Sequence, residues 1–201
     1  MATFPISAPP VTASSEKIRL ARNQGPMKSP HTGAMVVVDN YSEWIVELSF
    51  PAQSRSTSAA KAFMAWFDSL QGARGSFTYR PQGSGKNVTG KTLAATANAY
   101  TNEILVGGWA ANSATGLENG DYLGLSGKLY RISSVSPITN GSGQVTVSIE
   151  PSVRVAVASG AAVNFANPTV TLRLTLDDGM GGYSTDPDAI YLDSIMCSEV
   201  L

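Results

Sequence analysis

Charged side chains are scarce in this chain of 201 residues. Asp, Glu, Lys and Arg together make up 14% of the sequence, against roughly 25% in a typical soluble domain. The 14 basic and 15 acidic residues nearly cancel and leave a formal net charge of -1. Because binding to phosphates needs clustered Lys and Arg, this composition argues against a nucleic-acid-binding surface. Hydrophobic residues make up 43% of the chain, which excludes wholesale disorder and allows a sizeable core.

Cysteine and histidine each occur once, as Cys197 and His31. A single cysteine forms no intramolecular disulfide, and its apolar neighbours favour a buried structural thiol. The zinc motif H-E-x-x-H needs two histidines, and no G-x-S-x-G motif of a serine hydrolase occurs. His31 lies in a Pro-, Ser- and Gly-containing stretch, where we expect a solvated loop. We therefore predict no catalytic residue, no metal site and no cofactor, and we do not expect an enzyme.

Two other patterns invite a functional interpretation that the residues do not support. The run Gly83 to Lys86 resembles a phosphate-binding loop, but Arg80 stands where the first glycine is required and Asn87 where the hydroxyl is required. The acidic residues at 177–178, 186, 188 and 193 lack calcium-loop spacing and are typical of turns. No apolar run approaches a membrane span, and residues 1–10 do not have the pattern of a signal peptide. We expect a soluble chain with no membrane partner.

The first part of the chain predicts a helix packed on strands. Residues 1–34 are rich in Pro, Ser and Gly and predict an N-terminal arm, with alternation at 17–22 that suits an edge strand. Strands are expected at 35–39, 44–50 and 76–79, and a helix at 58–71 that ends before Gly72. Trp66 lies at the margin of the apolar arc of this helix, while Lys61 and Asp68 face away from the arc. These three residues are the candidate assembly interface.

Residues 81–166 predict a separate, closed β-barrel. The segment has no helical period, and Ser126-Gly127 has the chemistry of a two-residue hairpin turn between two alternating strands. Further strands are expected at 145–149 and 153–157. Trp109, Tyr122 and Tyr130 are expected in the barrel core, with a sugar-stacking platform as the alternative. The chain then returns with a strand at 169–176, so that we expect 35–80 and 167–201 to form one discontinuous domain interrupted by the barrel. A continuous split into two domains is the alternative.

The order of these elements resembles the distal tail proteins of long-tailed siphophages. The resemblance is carried by Trp-x-Val-x-Leu-x-Phe-Pro at 44–51, by Phe-Asp-Ser-Leu-Gln-Gly at 67–72, and by Gly-Ser-Phe-Thr-Tyr at 75–79. The segment Leu-Glu-Asn-Gly-Asp-Tyr-Leu-Gly-Leu at 117–125 looks like the β-barrel inserted in many of these proteins. The likeness covers about residues 35–176, and its motifs are structural.

The resemblance implies a mainly β fold: a tail-tube-like β-sandwich with one flanking α-helix and an inserted small β-barrel. It also implies a structural virion protein that forms a homo-hexameric ring at the tail tip, assembled in the bacterial cytoplasm. Such a ring joins the tail tube protein to the baseplate hub and tail fibre proteins, and DNA passes through its lumen. The alternative is a carbohydrate-binding module of the tail tip that uses Trp109, Tyr122 or Tyr130 to recognise host glycans.

Overall fold

The computed structural model describes residues 4–175, 183–186, 188–192 and 194–201. It is mainly β, with 43% of residues in strands and one α-helix within the described residues. The strands form a five-stranded sheet, a three-stranded sheet and a closed six-stranded barrel. The prediction of a mainly β protein with one helix and a small barrel is confirmed. The acidic turn predicted at 177–179, Asp193 and the end of the strand predicted at 169–176 lie outside the described residues.

The helix is α1 (Ser58–Ser69). The strands are β1 (Ser15–Lys28), β2 (Met35–Ser49), β3 (Gln53–Ser54), β4 (Phe77–Tyr79), β5 (Lys91–Leu93), β6 (Glu103–Gly107), β7 (Tyr122–Leu125), β8 (Lys128–Val135), β9 (Gln144–Glu150), β10 (Ala162–Asn164), β11 (Val170–Leu174), β12 (Tyr183–Thr185), β13 (Ala189–Leu192) and β14 (Ile195–Glu199).

The chain divides into two compact units. The first comprises Met1–Phe77 and Leu172–Leu201, and the second comprises Thr78–Thr171. The first unit therefore contains residues from both ends of the chain, including the stretch predicted to be an N-terminal arm. In that stretch β1 pairs antiparallel with β2 from Ser15 opposite Ser49 to Lys28 opposite Met35.

The five-stranded sheet has the order β1-β2-β14-β11-β4. Along β2, Trp44, Val46 and Leu48 are buried while Ile45 and Glu47 between them are half-exposed. This period of two confirms the half-buried strand predicted at 44–50, since successive side chains of a strand point to opposite faces. The strand predicted at 35–39 is not separate, because β2 continues without interruption from Met35 to Ser49.

Helix α1 covers the buried side of the first unit. The Thr57 hydroxyl accepts a hydrogen bond from the Ala60 N–H at 3.3 Å, which satisfies one of the free donors of the first turn. Phe63 packs edge-on against Phe50, with ring centres 4.8 Å apart. The helix ends at Ser69, two residues before the predicted end, because Gln71 adopts a left-handed conformation with φ of 53°. A short 3-10 turn, Gly72–Arg74, follows.

The second unit is built around the closed barrel, in the order β10-β5-β6-β9-β8-β7. Ser126 and Gly127 connect β7 to β8 with φ of 51° and 74°, as a tight hairpin with two left-handed residues requires. The hairpin predicted at this position is confirmed by the pairing of Leu125 with Lys128. Inward-facing apolar side chains fill the barrel, among them Leu93, Ile104, Val106, Leu123, Leu125, Tyr130, Ile132, Val147, Ile149 and Phe165.

The prediction of a regular strand at 153–157 is wrong. Val153 is buried and Val155 is strongly exposed, but only Val157 forms a bridge, to Ala97. The stretch runs beside residues 97–101 through backbone hydrogen bonds. The pairing is interrupted at Tyr100, because Tyr100 and Thr101 both face the single residue Val153. A local irregularity in the partner segment therefore overrides the alternating pattern of Val153, Val155 and Val157.

Candidate assembly surface

Strands β1 and β2 extend well beyond the rest of their sheet. The third strand, β14, pairs with β2 only from Ile45 to Leu48. Beyond the paired residues Asn23 and Tyr41 the register shifts, because Gln24 faces Asp39 and leaves Asn40 as an extra residue. Such a bulge bends the strand and increases its twist. We call residues 24–39 the hairpin extension, a two-stranded ribbon with no third strand among the described residues.

The loop at the end of the hairpin extension is held by its own hydrogen bonds. The Ser29 N–H donates to the Ala34 carbonyl at 2.8 Å, and the Gly33 N–H donates to the Ser29 carbonyl at 3.0 Å. The Ser29 hydroxyl accepts from the Thr32 N–H at 3.3 Å. His31 is exposed in this loop, and no metal-binding group of three or more His, Cys, Asp or Glu residues occurs in the described residues. The loop closes the ribbon and presents no catalytic arrangement.

Large apolar side chains of the hairpin extension are exposed to solvent. Met27 is 66% exposed, Met35 64%, Val36 61% and Val37 51%. Val36 and Val37 are consecutive, so they point to opposite faces of the ribbon. Both faces are therefore uncovered by the described residues, which distinguishes this ribbon from an ordinary half-buried hairpin. Lys28 and Asp39 are its only charged residues, and an exposed apolar patch with so little charge is typical of a protein interaction site.

The outer face of the five-stranded sheet lies next to the hairpin extension and forms shallow grooves. The larger groove has a volume of about 610 Å³ and is lined by Arg19, Tyr41, Glu43, Ile45, Ala73, Arg173, Leu174, Thr175, Met196, Ser198 and Leu201. Lys17 and Glu47 border the smaller groove and form an ion pair at 3.6 Å. Since the side chain of Lys17 is 76% exposed and that of Glu47 is 36% exposed, solvent screens this pair and it contributes little stability. The face carries charges of both signs around an apolar centre.

The structure separates the three residues predicted as an assembly interface. Trp66 is only 7% exposed and packs against Phe77, with ring centres 5.1 Å apart. Its indole N–H donates to the Ser7 carbonyl at 3.0 Å. Residues near the N-terminus of the same chain therefore occupy the place expected for a partner. Lys61 and Asp68 are exposed on the outer side of α1 and do not join Trp66 in one surface.

The three barrel aromatics likewise do not form one platform. Tyr130 is 3% exposed and belongs to the barrel core, so its ring offers no face to a sugar. Tyr122 pairs with the exposed Arg131, on the opposite side of the barrel wall from the buried pair Leu123 and Tyr130.

Trp109 is half-buried and held by its own chain. Its indole N–H donates to the Thr115 carbonyl at 3.1 Å. The Lys91 ammonium lies 4.6 Å from the centre of its ring, and the Phe165 ring packs nearby at 6.3 Å between centres. These contacts explain Trp109 as a packing residue at the edge of the barrel.

The sequence patterns do not predict the two surface features that stand out in the structure. They predict an arm and a separate short strand where the hairpin extension lies, although the apolar run 35–38, with Val36 and Val37 opposite Met27 and Pro26, is its signal. The second feature is Tyr100, which is 83% exposed in the second unit. Nothing in its sequence context distinguishes it from a core aromatic.

Cys197 is buried, as the sequence predicts, and burial raises the pKa of its thiol to about 12. A thiol with such a high pKa is a poor nucleophile, because the thiolate is the reactive form. Among the described residues, no helix is both long enough and apolar enough to cross a membrane.

No protein-family model matches this chain, and no curated protein has a significantly similar sequence.

Proposed function

We propose that this protein is a structural subunit that assembles with copies of itself into a ring at the distal end of a phage tail. The observation that carries the proposal is the hairpin extension, with Met27, Met35, Val36 and Val37 exposed on two faces of a ribbon. Fully burying one such side chain stabilises a complex by roughly 1.5–3 kcal/mol. A neighbouring subunit that covers both faces supplies the missing packing.

The edges of the five-stranded sheet support the same proposal. Strand β1 lies at one end of the sheet order and is 14 residues long. A long edge strand is a template for pairing with another chain unless something covers it. Contact between different surfaces of identical subunits closes into a ring when the rotation between neighbours allows it. The low charge content reduces the desolvation cost of burying these surfaces.

The finer features of the proposal come from the resemblance to distal tail proteins. They comprise a tail-tube-like β-sandwich in the first unit, six subunits per ring, and contacts to the tail tube protein on one side. On the other side the ring contacts the baseplate hub and tail fibre proteins, and DNA passes through its lumen without being bound. The near balance of 14 basic and 15 acidic residues suits a lumen of this kind.

Electron microscopy of the purified chain tests this proposal. At high protein concentration we expect negatively stained rings whose class averages have six-fold symmetry, and a hexamer mass in native mass spectrometry. Adding a matching tail tube protein is expected to stack tube rings on one side only. A chain that stays monomeric at every concentration, with and without the tube protein, would refute the proposed function.

A further inference from the structure

Tyr100 occupies a backbone position that favours glycine. The Thr101 N–H donates to the Asn98 carbonyl at 3.4 Å, which closes a tight turn over Ala99 and Tyr100. Tyr100 has a φ of +66°, at the turn position that normally takes Gly or Asn. A bulky side chain with positive φ is an outlier, because its Cβ crowds the backbone.

The same residue forms a bulge in the ladder with residues 153–157. The Tyr100 N–H donates to the Val153 carbonyl, while the Val153 N–H donates to the Thr101 carbonyl. Tyr100 and Thr101 therefore both face Val153. In a bulge of this type the first residue is left-handed and is usually glycine. Bulges often redirect a side chain beside a functional site, and here the redirected side chain is an aromatic ring.

Within the described residues, the Tyr100 ring makes no hydrogen bond and no aromatic contact. Tyr100 is 83% exposed, and within the described part of the chain its only hydrogen bond is the one made by its backbone N–H. Strain at an exposed residue persists because the surrounding structure enforces it, and such residues cluster at binding sites. The strained and exposed ring of Tyr100 is therefore available for contact with a ligand.

The surroundings of Tyr100 indicate what kind of ligand it contacts. Asn98 and Asn102, two residues to either side, are both exposed, and so is the carboxylate of Glu103. The Asn102 amide lies 3.4 Å from a Glu150 carboxylate oxygen. Amides and carboxylates supply the donors and acceptors that hydroxyl groups need, and an aromatic face packs against apolar C–H groups. Apart from Val155, the exposed neighbours lack the apolar character of a protein interface core.

We propose that Tyr100 is the stacking residue of a saccharide-binding site on the second unit. The ring covers the C–H face of a pyranose, and the amides of Asn98 and Asn102, with the nearby carboxylates, bind its hydroxyl groups. The backbone bulge fixes the ring in place, so little conformational freedom is lost on binding. This site is separate from the hairpin extension and does not depend on ring formation.

The test compares the full-length protein with variants of Tyr100 on a printed array of bacterial surface polysaccharides. Binding to the best glycan is then titrated by NMR. We expect the wild-type protein to bind at least one glycan, Tyr100→Phe to retain binding, and Tyr100→Gly and Tyr100→Asn to weaken it at least tenfold. Tyr191→Ala, which changes another exposed tyrosine on the first unit, is the control and is expected to bind like the wild type.

Thermal unfolding separates a binding role from a structural one. Because glycine relieves the strain, we expect Tyr100→Gly to raise Tm by about 2–4 °C while binding is lost. A fall in Tm would show that the ring supports the fold and would overturn the proposal. Absence of wild-type binding to every glycan would also overturn it, as would glycan binding that Tyr100→Gly leaves intact.

Discussion

At the scale of single residues, the thiol of Cys197 shows how burial controls chemistry in the first unit. Burial raises its pKa from 9.0 to about 12, so the folded state favours the neutral thiol. The stability that this group contributes is complete below pH 9 and is lost as the pH rises from 9 towards 12. Above pH 9 the loss approaches about 1.4 kcal/mol per pH unit.

We therefore predict that the folded protein resists thiol labelling and is selectively weakened by alkali. At pH 8 the thiol reagent DTNB should react slowly with the native chain and fully after unfolding in guanidinium chloride. Between pH 9 and 10.5 the free energy of unfolding should fall more for the wild type than for Cys197→Ala, as measured by urea titration. Rapid labelling of the native protein would show that Cys197 is accessible.

Trp66 marks the limit of what residue types alone predict. Helical periodicity places Trp66 at the margin of the apolar arc, and this position is consistent both with a core role and with a contact to a partner. The carbonyl that it contacts belongs to Ser7, 59 positions earlier. Periodicity describes one element at a time and contains no information about such a distant neighbour.

At the scale of elements, the start of α1 depends on one side chain. Replacing Thr57 by Ala removes the hydroxyl that accepts from the Ala60 N–H and should destabilise the first unit by about 1 kcal/mol. Ser56→Ala is the matched control, because its hydroxyl has one hydrogen-bond partner within the described part of the chain, the exposed Ser54 hydroxyl at 3.2 Å. Urea unfolding is expected to show the loss for Thr57→Ala and no change for Ser56→Ala; equal effects would mean that the cap contributes nothing.

Elements determined by local chemistry were predictable from the sequence. The Ser126-Gly127 hairpin and the helix from Ser58 need only turn residues, a cap and a periodic apolar face. The prediction of a strand at 153–157 is wrong, because the pairing of this stretch depends on the conformation of Tyr100 in another segment. The extent of the β1–β2 ribbon was missed for a related reason. Alternation predicts which residues can pair, but not how far a pair of strands continues beyond its sheet.

At the scale of the whole molecule, the protein combines a low charge content with two compact units that present different surfaces. The first unit presents an apolar ribbon, and the second presents an exposed, strained tyrosine beside amides and carboxylates. Of the candidate residues chosen from sequence, Trp66 and Tyr130 are buried, because an aromatic residue type alone does not show whether its side chain is exposed. The proposed self-assembly buries apolar side chains of the ribbon that the described residues leave exposed.

Sedimentation velocity across a concentration series measures whether the ribbon drives self-assembly. The variant combines Met27→Gln, Val36→Thr and Val37→Thr, since threonine keeps the strand preference while removing apolar surface. The control combines Ile138→Thr and Val155→Thr, two exposed positions of the second unit. We predict that the wild type and the control form hexamers, and that the ribbon variant needs at least tenfold more protein to associate while its Tm is unchanged. Equal association of all three proteins would show that the ribbon does not drive self-assembly.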